Sequence, residues 1–416
     1  MDGSSPTSDA AELPSVAVIG AGIVGACLAL RLAQRNARVA LIDRDEPGNG
    51  CSFGNSGAIS ESSVAPLAMP GILSSVPAML LDRKGPLYLP LAHLPVALPW
   101  LAQFVASARP ARVAQAAQAL AALHLGAVER HTALAREVGV PELVARRGHL
   151  HLYPDAAALA KDAGGWALRE QMGFRFARLA RDEILALEPR VPPRYTHGVY
   201  LEDHATVLNP HRYVKAIIDA GVARGVRIER DEVKAIEPAT PSASAPARWL
   251  VHQGTCTNAF EHVIVAAGMW SRPLLAPLGL HLPLESQRGY HVQYAGAERV
   301  VSRTVVLADR KVFVTPMEGG VRVGGTVEIG GTRRAPDWRR AALLEDIATE
   351  AFPMLEPITP TRWMGHRPCT PNSVPIVGAA ADRPGLWIAT GHGHLGLTDS
   401  IGSAERIADA IAAQSR

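Results

Sequence analysis

Cysteine is scarce in this sequence, with only four residues among 416, at positions 27, 51, 256 and 369. None of them lies in a C-x-x-C pair, so the sequence predicts neither a zinc site nor a dithiol redox centre, and we predict no metal. A long chain with so few cysteines is typical of a reducing compartment. The sequence therefore predicts a cytoplasmic protein.

An excess of charge of one sign is also missing, because 42 basic residues balance 39 acidic ones. No block of like charges offers the basic patch that nucleic acid binding requires, so we predict no nucleic acid partner. The N-terminus lacks a basic region followed by an apolar one, and we expect a frayed lead-in rather than a secretory signal. The length and the 48% of hydrophobic residues predict a globular chain of two domains.

Charged residues are absent from 85–108, GPLYLPLAHLPVALPWLAQFVASA. The length would suit a membrane span, but four prolines (86, 90, 95 and 99) should interrupt a continuous helix. We expect short helices packed into a domain. The alternative is a surface that contacts a membrane or a partner, which would place the protein peripherally on the inner face of the cell membrane.

Residues 15–45 combine a buried strand, a glycine-rich turn, a helix and a second buried strand. Gly20, Gly22 and Gly25 have G-x-G-x-x-G spacing, and Asp43 ends the second strand. This order predicts dinucleotide binding: the glycines admit a pyrophosphate to the helix N-terminus, and Asp43 accepts hydrogen bonds from a ribose. The following loop, 48–60, suits wrapping of backbone around a second part of the ligand, although an ordinary surface loop remains an alternative.

The pattern changes to alternating segments after Leu284, which predicts an antiparallel sheet with glycine-rich turns. The predicted fold class is α/β with an α+β substrate domain: a Rossmann-like cofactor-binding domain and a second domain on a mainly antiparallel sheet. We assign 12–70, 198–275 and 363–416 to the first domain, and 71–197 and 276–362 to the second.

The stretch GHRPCTPNSVPIVG, 365–378, places Arg367 at the edge of a predicted core strand. A surface loop residue or a structural ion pair would each account for such an arginine. Further on, GHGHLGLT leads into the C-terminal helix, and a helix N-terminus after a glycine turn is a second candidate anion site.

Together these motifs resemble the flavin-dependent D-amino acid oxidase superfamily, and within it the bacterial D-amino acid dehydrogenases. The resemblance covers nearly the whole chain: VAVIGAGIVG, GNSGAIS, VIVAAGMWS, ESQRGYHV, TPMEGGVRVGGTVE, GHRPCTPNSVPIVG and GHGHLGLT. It implies noncovalent FAD, and the spacing around Cys369 does not match relatives that link FAD through a cysteine.

The resemblance also implies residue roles. Arg367 would bind the substrate carboxylate, and Tyr290, His291 and His394 would line the catalytic pocket. The implied cofactor-binding residues are Gly20, Gly22, Gly25, Asp43, Arg44, Gly54, Asn55, Ser56, Gly57, Val233, Gly268, Gly393, His394, Leu395, Gly396, Leu397 and Thr398.

The implied reaction is oxidative deamination of a D-amino acid or cyclic D-imino acid, such as D-proline or 4-hydroxy-D-proline. A hydride would pass from Cα to flavin N5, and the electrons would go on to a quinone or another acceptor. Two alternatives are an oxygen-using oxidase of glycine or N-methyl amino acids, and a flavoprotein subunit that is active only in a heteromeric complex.

Overall fold

The computed structural model describes residues 14–71, 85, 87–240 and 248–414. The predicted lead-in before residue 14 and a predicted hairpin tip at 241–247 lie outside these ranges. The α-helices in the described ranges are α1 (Ile23–Ala33), α2 (Leu94–Ser107), α3 (Pro110–His124), α4 (Ala127–Glu137), α5 (Ala156–Lys161), α6 (Ala163–Gln171), α7 (Arg181–Leu187), α8 (Pro210–Val222), α9 (Ser271–Leu275), α10 (Arg339–Ala351) and α11 (Gly396–Gln414).

The strands in the same ranges are β1 (Ser15–Ile19), β2 (Arg38–Asp43), β3 (Ala58–Ile59), β4 (Leu87–Tyr88), β5 (Val144–Ala145), β6 (His149–Tyr153), β7 (Ala177–Ala180), β8 (His197–Leu201), β9 (Ala205–Val207), β10 (Arg227–Arg230), β11 (Val233–Pro238), β12 (Trp249–Gln253), β13 (Thr257–Phe260), β14 (His262–Val265), β15 (Glu285–Ala295), β16 (Thr304–Leu307), β17 (Val312–Met317), β18 (Gly320–Ile329), β19 (Thr361–Cys369), β20 (Ile376–Ala379) and β21 (Leu386–Thr390).

A six-stranded sheet in the order β10-β2-β1-β14-β21-β20 forms the first layer. Its strands run parallel except β20, which pairs antiparallel with β21 at the edge. Val16 to Ile19 are buried along their whole length, as expected for a parallel strand covered on both faces. The predicted Rossmann-like unit is therefore confirmed.

Helix α1 connects β1 to β2 and is buried on almost every side, because it packs against both α8 and α11. Leu28 and Leu30 are fully buried, and each such side chain contributes about 1.5–3 kcal/mol through the hydrophobic effect. The surrounding core therefore holds the N-terminus of α1 firmly above the end of β1.

The second layer is a large sheet in the order β19-β15-β18-β17-β16-β6-β8-β7, with β4 beside β18. Most neighbours are antiparallel, as predicted; β16–β6 and β18–β4 are parallel. Strands β8 and β19 belong to this sheet, although the sequence assigns most of both to the cofactor domain. The division into domains stays a prediction. One predicted boundary, at residue 363, falls inside β19.

Helix α2 corrects the expectation for the charge-free segment. It runs for 14 residues through Pro99, with Pro95 near its start, where a missing N–H removes no intrahelical bond. Its outer side is not packed, since Val96 is 61% and Leu98 is 53% exposed. Among the described residues, no single helix is long and apolar enough to cross a membrane. The segments Leu91–Ser107 and Pro110–Glu137 satisfy length and composition only as a pair, with a 92° bend between them.

Candidate cofactor and substrate site

A cavity of about 570 Å³ opens at the carboxyl ends of β1, β2, β14 and β21. This edge is where open α/β sheets bind their ligands. The cavity brings together many of the residues that the sequence predicts, and these are Gly20, Gly22, Asp43, Arg44, Asn55, Val233, Gly268, Gly393, Gly396 and Leu397.

Two positions at the start of the β1–α1–β2 unit require glycine, one in the turn after β1 and one inside α1. Gly20 has φ of +104°, and a Cβ there would lie 2.5 Å from the Ala266 carbonyl oxygen. A Cβ on Gly25 would lie 1.8 Å from the Gly20 carbonyl oxygen. Gly25 does not line the cavity; it allows α1 to pack closely on the turn, while Gly20 and Gly22 leave backbone facing the cavity. This arrangement fits a diphosphate at the start of α1.

Asp43 and Arg44, which lie at the end of β2, also line the cavity. Both side chains interact with other groups of the protein as well. The Asp43 carboxylate accepts hydrogen bonds from the Ala21 N–H at 2.7 Å and the Asp45 N–H at 3.0 Å. The Arg44 guanidinium lies 4.2 Å from the centre of the Trp270 ring. Trp270 is an aromatic wall of this cavity that the sequence did not predict.

The predicted loop around Gly54 packs mainly against the large sheet. Asn55 lines the cavity and its side chain accepts from the Gly57 N–H at 2.7 Å. Gly54, Ser56 and Gly57 do not line it. A Cβ on Gly54 would lie 2.1 Å from the Trp363 ring, and one on Gly57 would lie 2.2 Å from the Val207 carbonyl oxygen. The glycines therefore let the loop dock closely onto its neighbours.

In the turn before α11, as in the loop around Gly54, only some of the predicted residues line the cavity. Gly393, Gly396 and Leu397 line the cavity, whereas Leu395 and Thr398 are buried away from it and His394 is exposed. Thr398 Oγ1 accepts from the Ser60 N–H at 3.1 Å. The protein groups packed around His394 and the positive charge of Arg367 lower the pKa of its imidazole, although the side chain is exposed.

Arg367 lies on β19 beside a gap that Gly289 provides, because a Cβ on Gly289 would lie 2.1 Å from Arg367 Nη2. Its Nη1 donates to the Thr326 carbonyl at 3.0 Å. Thr326 has φ of +59°, an unfavourable value for a β-branched residue, so strained backbone presents this carbonyl. Burial lowers the pKa of the guanidinium. Within the described ranges no carboxylate forms an ion pair with Arg367.

His291 lies on the same face of the sheet as Arg367, since Gln287 pairs with Arg367 and His291 pairs with Trp363. We call this surface of β15, β18 and β19 the open face. The His291 ring stacks on Trp363 at 5.1 Å between centroids, and its Nδ1 donates to the Gly54 carbonyl at 3.1 Å. Burial, followed by the charge of Arg322, lowers the pKa of His291 to about 3, so this ring is also neutral.

Tyr290 needs correction, because it lies on the opposite face, which we call the closed face. Its hydroxyl donates to Glu328 Oε2 at 2.5 Å and accepts from the Asp337 N–H at 2.9 Å. Glu328 also pairs with Arg288 at 3.0 Å, and both of these side chains are fully buried. Tyr290 is therefore part of a self-contained polar network and not a neighbour of Arg367.

Sequence reasoning missed Trp363, Arg322 and Gln293 on the open face. A signal for Trp363 existed in the period of two, because residues 363, 365 and 367 of one strand share a face. Gly365 supports it, since a Cβ there would lie 2.1 Å from the Trp363 ring. No such signal marks Arg322, which lies on a different strand. In the described part of the chain, no three His, Cys, Asp or Glu side chains are placed to hold a metal.

Comparisons with known proteins agree with this geometry. The family model described as FAD dependent oxidoreductase (DAO) matches residues 15–410. The D-amino-acid oxidase of Bradyrhizobium diazoefficiens is 37% identical, covering 95% of this chain and 94% of the relative. D-amino acid dehydrogenase 2 of Ralstonia nicotianae is 32% identical, covering 95% and 96%.

Among solved structures, glycine oxidase from Geobacillus kaustophilus superposes with a TM-score of 0.73 at 21% identity, covering 96% of this chain and 95% of that one. This likeness supports the fold. The family match spans the six-stranded sheet, the large sheet and the glycine-rich turn, and the chain belongs to the FAD dependent oxidoreductase family, whose members use FAD as their cofactor.

Proposed function

We propose that the chain oxidises a D-amino acid or a cyclic D-imino acid, and that Arg367 binds the carboxylate of this substrate. The observation that carries the proposal is the half-buried Arg367 guanidinium, which has one carbonyl partner and no carboxylate in the described ranges. A partly desolvated cation without a counter-ion attracts an anionic ligand, because the ligand replaces the water that the charge has lost. Relatives that carry D-amino acid oxidase and dehydrogenase names support the substrate class.

Arginine suits this role better than lysine. Its planar guanidinium donates two parallel hydrogen bonds to a carboxylate and keeps its charge even when burial lowers its pKa. With Nη1 held by the Thr326 carbonyl, the side chain is fixed before a ligand arrives. Such preorganisation orients the substrate at little further entropic cost.

We assign the cofactor-binding residues to three parts of FAD. FAD, when bound noncovalently, supplies the two-electron acceptor that the side chains of this chain lack. Gly20, Gly22 and the N-terminus of α1 would hold its diphosphate. Asp43, Arg44, Val233 and Gly268 would hold the adenosine half, and the loop 54–57 with 393–398 would surround the ring system.

Proton handling falls to neutral groups. Burial lowers the pKa of His291 to about 3, so this ring is uncharged at neutral pH, and the pKa of His394 is lowered as well. Because Nδ1 of His291 donates to Gly54, its Nε2 carries a lone pair that can accept a hydrogen bond from the substrate amine. The positive charge of Arg367 also favours an uncharged amine over an ammonium. A strong general base is therefore unnecessary.

Anaerobic bleaching of the visible flavin band by paired D- and L-amino acids, including D-proline and hydroxyprolines, tests the proposal. D-forms should bleach the wild type, and Arg367→Met should slow bleaching roughly 30- to 5,000-fold while retaining bound FAD. Arg362→Met is the matched control, because Arg362 lies on the same strand but forms an exposed ion pair with Glu345. Wild-type protein that binds FAD but is reduced by no amino acid would contradict the proposal and favour a partner-dependent subunit.

We further propose that the electrons pass to a quinone and that α2 contacts an anionic membrane surface. Leu91, Val96 and Leu98 are exposed, and exposed Arg109 and Arg112 follow the helix. An apolar patch next to basic residues is the arrangement of interfacial helices. Co-sedimentation with anionic vesicles should fall in Leu98→Glu, and turnover should need a quinone. Peroxide formation at matching rates would instead favour an oxygen-using oxidase of glycine or N-methyl amino acids.

A further inference from the structure

Arg322 on β18 is the second arginine of the open face and, unlike Arg367, it is buried, with 6% of its surface exposed. Its Nη1 donates to the Phe53 carbonyl at 3.0 Å and also to the Asn55 carbonyl. Its Nε and Nη2 donate to Gln293 Oε1 at 3.0 and 2.7 Å. The side chain therefore fastens the loop that follows β2 onto the large sheet.

All of these acceptors are neutral oxygens. No carboxylate in the described part of the chain pairs with Arg322, in contrast to Arg288, which Glu328 neutralises. Burial lowers the pKa of Arg322 to about 10, so the guanidinium stays protonated at neutral pH. The molecule thus maintains an unbalanced positive charge beneath the loop, an arrangement that is costly unless an anion is nearby.

The charge acts on the open face and not only on the loop. Asn55, whose carbonyl Arg322 holds, lines the cofactor cavity. After burial, Arg322 is the largest influence that lowers the pKa of His291. Two electrons and one proton convert the neutral oxidised ring of FAD into an anion, so a nearby cation stabilises the reduced form more than the oxidised form.

We propose that Arg322 is a positioning residue that fixes the 53–55 carbonyls on the large sheet and whose unbalanced charge raises the reduction potential of bound FAD. The inference rests on the ring lying beside residues 54–57, which is part of the proposed function. The geometry separates two contributions: the hydrogen bonds hold the loop, and the charge sets the potential.

The experiment measures the dissociation constant of oxidised FAD and the midpoint potential, with dithionite and reference dyes, for holoprotein variants. Arg322→Met should weaken FAD binding and lower the preference for reduced FAD about tenfold, which is about 30 mV for a two-electron couple. Arg322→Lys keeps the charge but cannot reach all three acceptors, so its potential should stay near that of the wild type while FAD binding weakens.

Arg146→Met is the control, since Arg146 forms an exposed ion pair with Glu129. If Arg322→Met does not fold, Arg322→Gln provides the same loss of charge with a polar side chain. An unchanged potential in a neutral variant, or equal losses of potential in Arg322→Met and Arg322→Lys, would overturn the electrostatic role. Dithionite requires no amino acid, so wild-type protein that amino acids fail to bleach would contradict the proposed function without affecting this measurement.

Discussion

The two faces of the sheet formed by β15, β18 and β19 differ in whether their arginines have a carboxylate partner. On the closed face Arg288 meets Glu328, which also accepts from Tyr290, so the charges cancel inside the protein. On the open face Arg367 and Arg322 meet only neutral oxygens in the described ranges. An arginine that is paired with a carboxylate of the protein stabilises the fold. An arginine without such a partner can gain free energy by binding an anionic ligand.

The sharpest test of this contrast is the loss of Arg367. Removing one partner of a desolvated charge pair costs about 2–5 kcal/mol, so Arg367→Met should reduce kcat/KM roughly 30- to 5,000-fold. Its free energy of unfolding should be unchanged or higher, because no counter-ion is left unpaired. Steady-state kinetics and urea titration of the same sample measure both. A large loss of stability would show that Arg367 is structural.

Glu328 should give the opposite result. Glu328→Ala leaves Arg288 buried without a counter-ion, so the free energy of unfolding should fall by about 3–5 kcal/mol. Bleaching by substrate at a temperature where the variant is folded should remain. Urea unfolding followed by tryptophan fluorescence gives the first quantity, and a stable but inactive variant would break the distinction between the faces.

Tyr290→Phe removes two hydrogen bonds from the closed face. Because the Glu328 oxygen and the Asp337 N–H each lose their phenolic partner, stability should fall by about 1–3 kcal/mol. The value of kcat/KM with the best substrate should stay close to that of the wild type. A loss of activity comparable to that of Arg367→Met would indicate that Tyr290 contacts the substrate after all.

At any one pH unit, the smallest effect is the dependence of stability on pH. The pKa of His291 is about 3 in the folded state, against 6.5 when unperturbed, so the unfolded state binds the extra proton between these values. Stability is therefore fully present above pH 6.5 and is lost as pH falls towards 3, by up to roughly 1.4 kcal/mol per pH unit. In His291→Gln this slope should be shallower by that amount, as measured by urea midpoints at several pH values. An identical slope would mean that the ring is charged or exposed.

Local sequence predicts those parts of the molecule in which neighbours in space are neighbours in the chain. The β1–α1–β2 unit is such a case, since Gly20, Gly25 and Asp43 act within one supersecondary unit. The Asn209 cap of α8 is another, with its side chain accepting from the Arg212 N–H. The pairing of β19 with β15, which creates the open face, joins segments far apart in sequence and is visible only in the fold.

The misplacement of Tyr290 has a simple physical origin. Tyr290 and His291 are consecutive residues of a strand, so their side chains must point to opposite faces, and only one can lie near Arg367. Deciding which one requires the register between β15 and β19, because that pairing determines the face that Arg367 shares. Pro99 shows the converse error: a local rule predicts a break, but α2 continues through it.

The bond between Arg322 and Asn55 spans 267 residues of sequence. At a synthesis rate of about 5–20 residues per second, the loop that contains Asn55 leaves the ribosome roughly 13–53 s before Arg322 does. During that interval the β1–α1–β2 unit has all of its own glycines and Asp43 but no sheet on which to dock the loop. The loop would therefore dock only after β18 has been synthesised. If Arg322 fixes the loop as we propose, firm retention of FAD is a late event in the biogenesis of this protein.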